Sequence, residues 1–452
     1  MYLKRKLDRI LEEWKKNPDR LPLIVKGPRQ VGKTSSVLNF AATHYESVVE
    51  INFLTDPRYG KILENGYAAE SVLGLISLIN PGVRLIPGKT LIFFDEIQAC
   101  PDVATTLKFF KADGRYDVIC SGSMLGLSYR AIHSVSVGFK EDIDLYSLDF
   151  EEFLWAMGYR EDAVEALYAR MRDMKPLLGL ELEVFSKLFF DYCVLGGMPA
   201  VVRQYAERRD FTNSLRVQRQ IMADYEEDVR KYLEGMDQAR VLQVLRSVPA
   251  QLAKENKKFQ LGKVRTGARA REYWGCIEWL ESAGLVNVCR CLGFPELPLG
   301  GNEREGFFKL YFCDTGLLVS CLDEESQDDL RENRNLGVYK GGLFENIAAE
   351  ALVKSGKKLC YWANEARTLE TDFFLRTQNT LVPVEIKAKS GKAKTQKTLI
   401  ESDRWPDIRF GVKLSGGNIG KDGRVYTFPI FCAFLLGRWL KENGSRLEAE
   451  NP

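Results

Sequence analysis

A glycine-rich stretch near the start of the chain has the residue types and spacing of a phosphate cradle. It follows an apolar run at 21–25, which predicts a strand, and it precedes a stretch that predicts a helix. Backbone N–H groups of such a loop and the positive end of the helix face bound phosphates. A chance match in a loop is the alternative, and the flanking elements argue against it. The residues expected to bind the nucleotide are Gly27, Pro28, Arg29, Gln30, Val31, Gly32, Lys33, Thr34 and Ser35.

Two of these residues have specific roles in the predicted chemistry. Lys33 would reach the β- and γ-phosphate oxygens, and Thr34 would offer its hydroxyl to Mg²⁺. ATP and Mg²⁺ are therefore the expected cofactors.

Two acids follow a second apolar run. Residues 90–94 lack polar alternation, which is typical of a strand buried on both faces of a parallel sheet. Ligands of such sheets bind at the carboxyl ends of the strands. Asp95 would hold Mg²⁺, directly or through water, and Glu96 would polarise the attacking water. Two solvated acids at a strand end are the alternative.

A third strand, predicted at 118–120, ends in small polar residues. A hydroxyl there would sense the γ-phosphate or position water. Ser123 is the first candidate and Ser121 the alternate, while a simple turn explains the same residues without a catalytic role.

Composition limits the remaining classes of function. With 452 residues, 45% of them hydrophobic and 28% charged, the chain has the composition of a globular protein of two to four domains. A net charge of +2 gives no overall signal for nucleic acid, so any such surface must be local. Ten cysteines without a C-x-x-C pair favour a reducing, cytoplasmic compartment. The two histidines, His44 and His133, make imidazole zinc clusters and Ser/His/Asp triads poor candidates.

The first 20 residues predict an amphipathic helix rather than a signal or a membrane span. We expect this helix to pack on the domain that follows, and a membrane-surface helix is the alternative. No apolar run reaches transmembrane length, so no membrane partner is expected. The apolar residues with helical spacing are Leu3, Leu7, Ile10, Leu11 and Trp14.

Several motifs together carry a resemblance to a known family. The chain resembles the prokaryotic AAA-type P-loop ATPases that pair the ATPase with a C-terminal domain of unknown function. This resemblance implies an AAA-like parallel α/β sheet, then a helical lid, and it covers nearly the whole chain. The motifs are G-P-R-Q-V-G-K-T at 27–34, I-F-F-D-E-I-Q at 92–98, S-G-S-M-L at 121–125, D-F-E-E-F-L at 149–154, L-G-G-M-P-A at 195–200 and F-C-D-T-G-L-L at 312–318.

The chain departs from that family at two stretches, one of which is Ser147-Leu148-Asp149-Phe150, where relatives have a form with proline. Relatives carry Gly-Arg where this chain has Gly138-Phe139-Lys140. If the arginine of the relatives acts on phosphate, this chain has lost it. Lys140 would replace it only as a point charge without the bidentate fork, so we assign no arginine finger.

The last third of the chain carries a second set of acids. Alternation puts Glu385 and Lys387 on one face of a predicted strand, and Asp372 on the neighbouring strand would share a Mg²⁺ ion with Glu385. Pro383 suggests that the strand starts late or lies at an edge.

The order of these residues resembles metal-dependent nucleases of the PD-(D/E)xK type. The resemblance implies that Lys387 orients or deprotonates water and that Glu345, on a helix, is an additional acid. The alternative is a nuclease-like fold kept for binding or assembly.

A basic segment precedes this part. Helix, turn, helix and strand signals over 236–325 resemble a winged helix, a module that binds either DNA or proteins. Its basic residues are Lys263, Arg265, Arg269 and Arg271. A lysine cluster also begins at the end of the predicted strand that carries Glu385 and Lys387. It suits phosphate-backbone contact, although an exposed loop explains all of it except Lys387. The cluster is Lys387, Lys389, Lys392, Lys394 and Lys397.

The sequence thus predicts four segments: a P-loop ATPase core at 1–155, a helical lid at 156–235, a winged-helix-like segment at 236–325 and a nuclease-like α/β domain at 326–452. The leading hypothesis is ATP hydrolysis coupled to action on DNA or RNA. The alternative is an ATP-dependent switch whose inactive nuclease fold docks a partner, such as a protein or a second copy.

Overall fold

The computed structural model divides the chain into two compact units. One unit comprises Met1–Ser147 with Ser282–Gly284, and the other comprises Leu148–Glu281 and Leu285–Pro452. The residues that the structure describes are 1–123, 138–233, 238–254, 257–267, 269–332, 334, 337–366, 368–388 and 394–450.

The first unit is an α/β layer structure around a parallel sheet. Its five strands lie in the order β2-β3-β4-β1-β5, and all neighbours are parallel. The elements are α1 (Lys6–Lys16), β1 (Leu23–Gly27), α2 (Lys33–His44), β2 (Ser47–Asn52), α3 (Ala69–Ile79), β3 (Thr90–Asp95), α4 (Leu107–Asp113), β4 (Asp117–Ser123) and β5 (Glu141–Asp144).

This sheet is buried where the sequence predicts it to be. Every residue of β3 is buried, as expected for an apolar strand covered on both faces. Phe94 on β3 packs against Phe53 and against Phe110 of α4. Because β4 lies between β1 and β3, the carboxyl ends of these three strands meet at one edge of the sheet. That edge carries the candidate nucleotide site.

The N-terminal helix packs on this unit. On α1 the apolar side chains Leu7, Leu11 and Trp14 are buried, whereas Ile10 is exposed. Trp14 contacts Phe40 of α2 edge to face. Packing on the following domain therefore accounts for the amphipathic pattern of α1.

The second unit begins with helices and continues into a mixed α/β region. Its helices are α5 (Phe150–Ala156), α6 (Glu161–Arg172), α7 (Gly179–Leu195), α8 (Pro199–Arg208), α9 (Phe211–Tyr232), α10 (Gln238–Leu252), α11 (Leu261–Val264), α12 (Ala270–Ser282), α13 (Thr315–Ser320), α14 (Glu324–Arg331), α15 (Gly337–Lys354), α16 (Lys394–Ile400) and α17 (Ala433–Glu450).

One mixed sheet of eight strands runs through this unit in the order β12-β13-β11-β10-β9-β8-β6-β7. The strand β10 pairs antiparallel with β9 and parallel with β11, and the β6–β7 hairpin joins the sheet through a parallel pairing with β8. The strands are β6 (Val286–Leu292), β7 (Glu303–Phe312), β8 (Cys360–Ala363), β9 (Glu370–Arg376), β10 (Leu381–Lys387), β11 (Gly411–Ser415), β12 (Gly420–Asp422) and β13 (Val425–Pro429).

This sheet bears on two predictions. The hairpin of the winged-helix-like segment shares the sheet with strands of the predicted nuclease-like segment, and both predicted segments stay predictions. The inference from Pro383 is wrong, because β10 starts at Leu381 and lies between two other strands. Its register with β11 begins only at Val384, directly after the proline, so the missing N–H removes no ladder bond on that side.

Three of the motifs that carry the resemblance have structural roles. The pair Asp149 and Glu152 forms a capping box at the start of α5, in which each backbone N–H donates to the other carboxylate. The motifs at 195–200 and 312–318 meet, since the Gly197 N–H donates to Asp314 at 2.8 Å. A Cβ on Gly197 would lie 1.9 Å from the carbonyl oxygen of Leu148, so only glycine allows this approach.

All ten cysteines are free thiols. Among the described helices, none is both long enough and apolar enough to cross a membrane.

Candidate nucleotide site and a cluster of buried acids

The phosphate loop connects the end of β1 to the start of α2. Gly32 is the N-cap of α2 and has a φ of 95°, a left-handed conformation that favours glycine. Gln30 has a φ of 62°, so the loop is strained at a non-glycine position, as is common where a backbone grips a ligand. Gly27 is needed for a different reason, because a Cβ there would lie 2.1 Å from the Leu145 carbonyl oxygen.

Lys33 lies folded into this loop. Its ammonium group donates to the carbonyl oxygens of Gly27, at 3.1 Å, and Pro28, at 2.7 Å. Burial lowers the pKa of Lys33 to about 8, although the nearby carboxylates of Glu96 and Asp95 act to raise it. The loop thus holds the buried ammonium group of Lys33 against two backbone carbonyls. A bound phosphate would replace these carbonyls as the partner of the ammonium group.

Asp95 accepts hydrogen bonds from several residues of the site. It is buried at the end of β3, and its Oδ2 accepts from the Thr34 hydroxyl at 3.0 Å and from the Asn52 side-chain amide at 3.0 Å. Its Oδ1 accepts from the Ser121 hydroxyl and from the backbone N–H of Glu96 at 3.1 Å. The structure therefore joins both predicted Mg²⁺ residues, Thr34 and Asp95, at one carboxylate.

Glu96 is held by a neighbour that the sequence analysis missed. It has a left-handed backbone with a φ of 58°, and it accepts a hydrogen bond from the Gln98 side-chain amide. Gln98 in turn accepts from the backbone N–H of Ser123 at 3.1 Å. Ser123 pairs in register with Gly27, so it lies beside the first glycine of the loop. Ser121, the alternate candidate, is engaged by Asp95.

Three residues of the site were not predicted. Asn52 is the last residue of β2 and pairs in register with Asp95, so its position at a strand end was an available signal. Gln98 stands two residues after Glu96. Arg5 had no sequence signal, because its burial depends on tertiary packing.

Arg5 is buried behind the phosphate loop. It donates to the carbonyl oxygens of Val31 and Tyr146, both at 2.7 Å. The Val31 carbonyl belongs to the loop itself, and Tyr146 follows β5. The Arg5 guanidinium thereby ties the loop to the neighbouring chain segment.

The suggestion that Lys140 replaces a phosphate-binding arginine is wrong within this unit. Lys140 directly precedes β5, and the Glu141 N–H donates to the Pro22 carbonyl, so Lys140 lies near the amino end of β1. The phosphate loop follows the carboxyl end of β1. The Lys140 ammonium group is bound to Asp142, with the nearer contact at 2.5 Å.

In the second unit the structure brings the predicted acids of β9 and β10 together. Their register pairs Phe373 with Val384, which places Asp372 and Glu385 at neighbouring positions. The Ile386 N–H donates to Oδ2 of Asp372 at 2.7 Å. The Lys387 ammonium group lies 3.4 Å from Oε2 of Glu385, as expected for side chains on one strand face.

The third predicted acid, Glu345 on α15, is surrounded by cations and a hydroxyl. It is buried and accepts from the ammonium group of Lys257 and from the Tyr311 hydroxyl at 3.1 Å. Lys309, itself buried on β7, has its ammonium group 3.7 Å from Glu345 and 2.8 Å from Glu370.

The charges of this cluster shift each other's pKa. Burial acts to raise the pKa of Glu345, but Lys309 and Lys257 outweigh it and hold the pKa below its usual value. Burial, together with the charge of Glu345, raises the pKa of Asp372 to about 7. Burial acts to lower the pKa of Lys309, and the carboxylates, Glu345 first, reverse the shift.

The two sites differ in how well they suit a metal ion. Mg²⁺ binds through one or two carboxylates together with phosphate oxygens and water, so Thr34 and Asp95 are a sufficient protein contribution. In the second unit both oxygens of Glu345 already accept hydrogen bonds from side chains, and Asp372 and Glu385 each accept one from a backbone N–H. Across the described ranges, no three His, Cys, Asp or Glu side chains are grouped to hold a metal ion. The predicted second metal site does not fit these residues.

The basic residues of the winged-helix-like segment lie in α11 (Lys263), directly after it (Arg265), before α12 (Arg269) and at the start of α12 (Arg271). Lys263, Arg265 and Arg269 are exposed, and the side chain of Arg271 lies outside the described part. Of the lysine cluster, Lys389 and Lys392 lie outside the described residues. Lys397 pairs with Asp422 at 2.7 Å.

Comparisons with family models divide the chain into three matched regions. Residues 19–154 match an AAA domain, which supports ATP binding and hydrolysis by this part of the chain. Residues 340–431 match a domain of unknown function, DUF4143, and residues 186–328 match another, DUF8612. An AAA domain with a parallel α/β sheet is thus confirmed for the first part of the chain, whereas the helical lid, the winged-helix-like segment and the nuclease-like character of the C-terminal part stay predictions.

Among solved structures, the chain is similar to the Walker-type ATPase PABY2304 of Pyrococcus abyssi, with 14% identity, a TM-score of 0.44, and coverage of 71% of this chain and 96% of that chain. The RuvB Holliday junction branch migration motor of Thermotoga maritima shares 14% identity, with a TM-score of 0.27 and coverage of 63% and 87%. Cdc6p from Pyrobaculum aerophilum shares 13%, with a TM-score of 0.24 and coverage of 74% and 96%. A search of the curated proteins found no match.

Proposed function

We propose that the chain binds ATP with Mg²⁺ and hydrolyses it at the carboxyl edge of the first sheet. The observation that carries this proposal is the hydrogen bond between Thr34 and the buried carboxylate of Asp95. It joins the loop that grips phosphate to the acid that faces the cation. Mg²⁺ bound with the nucleotide would neutralise phosphate charge.

The side chains of the site divide the work. Lys33 exchanges the carbonyls of Gly27 and Pro28 for phosphate oxygens when the nucleotide binds. Glu96 accepts a proton from, or polarises, the attacking water. Gln98 orients Glu96 and links it to Ser123, whose position beside the loop suits contact with the γ-phosphate.

The variant Glu96→Gln tests this assignment. It should retain ATP with similar affinity while hydrolysis is lost, because the amide keeps the shape of the side chain and cannot accept the proton. If this variant hydrolyses ATP like the parent, Glu96 is not the base.

We further propose that ATP sets the conformation of the second unit, which docks nucleic acid through the exposed residues Lys263, Arg265 and Arg269. Three exposed cations within seven residues suit phosphate contacts, which are sequence-independent and weaken with salt. Of the two versions of this hypothesis, the switch without cleavage is favoured by the lysine partners of Glu345.

A gel-shift titration with DNA and RNA tests the docking surface. The double variant Lys263→Ala/Arg265→Ala should bind more weakly and lower the salt slope by about 1 for each lost phosphate contact. The control Arg203→Ala/Arg208→Ala removes two exposed arginines of α8. If both double variants bind nucleic acid equally well, Lys263 and Arg265 do not form the docking surface.

Cleavage is the second candidate function, and the Glu385–Lys387 pair beside Asp372 favours it. Incubation of the chain with DNA and RNA plus Mg²⁺ or Mn²⁺ decides between the two. Cleavage that is lost in Asp372→Ala and Lys387→Ala would establish the nuclease. If no substrate is cleaved, the ATP-dependent switch without cleavage is the function that the result supports.

A further inference from the structure

We propose that Lys309 is a built-in cation that takes the place of a divalent metal ion at the acids of α15 and β9. The inference rests on the nuclease-like placement of acids proposed above. It explains how these buried acids can be stable without a bound metal ion. It goes beyond that proposal by naming the group that fills the site.

The first support is the position of Lys309 itself. It is the one charged residue in the apolar run Phe307–Phe312 of β7, and only 1% of its surface is exposed. A buried ammonium group without partners is very costly. Lys309 therefore depends on the carboxylates around it, Glu370 at 2.8 Å and Glu345 at 3.7 Å, and on the ring of Tyr361, 4.8 Å from the ammonium nitrogen.

The second support is that Lys309 contacts one of the predicted acids and its charge acts on a second. Glu345 is the acid predicted on the helix, and Asp372 lies two residues after Glu370 on the same strand. The charge of Lys309 acts on both Glu345 and Asp372. One ammonium group thus acts on acids of α15 and β9, including Asp372, one of the two acids to which the sequence analysis assigned Mg²⁺.

The third support is that the carboxylate oxygens of these acids already accept hydrogen bonds from protein donors. Both oxygens of Glu345 face donors, Lys257 on one and Tyr311 on the other. Asp372 accepts from a backbone N–H, and Glu385 accepts from the Gln396 N–H at 3.2 Å. A divalent ion needs several free oxygens at about 2.0–2.6 Å, and it would have to displace Lys309 and Lys257 to obtain them.

Binding of Mn²⁺ to the nucleotide-free full chain tests this inference. All samples carry Asp95→Asn, so that the ATP site does not contribute, and free Mn²⁺ is measured by electron paramagnetic resonance. We expect no bound Mn²⁺ up to about 1 mM, a range in which even weak oxygen sites fill. One bound Mn²⁺ per chain that disappears on adding Asp372→Asn would overturn the inference.

The variant Lys309→Gln provides the positive arm. It leaves Glu345 with Lys257 as its remaining lysine and removes the lysine bound to Glu370, so the chain should bind about one Mn²⁺, and Asp372→Asn should remove that binding. Lys358→Gln, which changes an exposed lysine, should bind none. A folded Lys309→Gln chain that binds no Mn²⁺ contradicts the inference. If Lys309→Gln does not fold, Mn²⁺ binding to the chain that keeps Lys309, measured with and without Asp372→Asn, still tests the inference. Neither ATP turnover nor nucleic-acid binding enters this measurement, so failure of the proposed function is distinguishable.

Discussion

Asp95 in the first unit and Glu345 in the second are both buried acids, and their partners differ. Asp95 accepts hydrogen bonds from hydroxyl and amide donors of Thr34, Asn52 and Ser121. These donors are neutral, so they hold the carboxylate in place and leave its charge for a cation that arrives with the nucleotide. Glu345 is paired with two lysines, which already compensate its charge.

The comparison teaches that a pattern of acids does not by itself predict a metal site. Both sets of acids stand at the expected positions of the expected elements. The groups that face them from other elements decide whether a cation is needed. The predictions below test the two halves of this contrast.

The largest effect should come from Glu96→Gln in the first unit. We expect kcat for ATP hydrolysis to fall by about 10²–10⁴, the usual contribution of a positioned base, with a nearly unchanged Kd for ATP. The measurement is phosphate release together with nucleotide binding. Glu64→Gln, an exposed acid of the same unit, is the matched control and should hydrolyse ATP normally. If kcat falls equally in both variants, Glu96 is not the base.

In the second unit, Lys309→Met should lower the free energy of unfolding by about 3–5 kcal/mol, because it breaks the buried ion pair with Glu370 and removes one of the two lysines beside Glu345. Denaturant titration followed by circular dichroism measures this loss. Lys358→Met, at a lysine whose side chain is 62% exposed, should cost little. Equal stability of the two variants would mean that Lys309 does not compensate the acids.

The pH dependence of ATP use should reveal Lys33. Its pKa in the free protein is lowered to about 8, and the protonated form is the one that attracts phosphate. Above pH 8, kcat/KM should therefore fall by about tenfold for each further pH unit, while below pH 8 this group imposes no loss. A profile that stays flat to pH 9.5 would be inconsistent with a buried Lys33 that must be charged.

A smaller effect is expected from Arg5→Lys. A lysine can keep one of the two hydrogen bonds to the Val31 and Tyr146 carbonyls, so the loss is about 1 kcal/mol, or about fivefold in ATP affinity. The control Arg9→Lys changes an exposed side chain of the same helix and should bind ATP like the parent. The Arg5 interpretation fails if ATP affinity is the same in both.

The two sites also differ in how far the sequence predicted them. The phosphate loop and the acids after β3 depend on local patterns, namely a glycine loop and an unbroken apolar strand, and the structure places them together at one sheet edge. Arg5 and Lys309 act through contacts with residues far away in sequence, which no local pattern encodes. A weak signal existed for Lys309, since a single lysine inside an apolar strand must have buried partners.

The sheet order was similarly beyond local reasoning. The strands β9 and β10 were predicted from their own residues, but β10 was expected to start late or to lie at an edge because of Pro383. Its central place follows from pairing with β11, whose register starts one residue after the proline. The β6–β7 hairpin lies in the same sheet because β6 pairs with β8, a strand about 70 residues further along the chain.

The central claim, that the nucleotide site takes a divalent ion and the acid cluster does not, is tested most directly by counting Mn²⁺ per chain in the presence of a non-hydrolysable ATP analogue. The account predicts one Mn²⁺, which Asp95→Asn weakens or removes and Asp372→Asn leaves unchanged. Two Mn²⁺ per chain, one of them lost in Asp372→Asn, would contradict it.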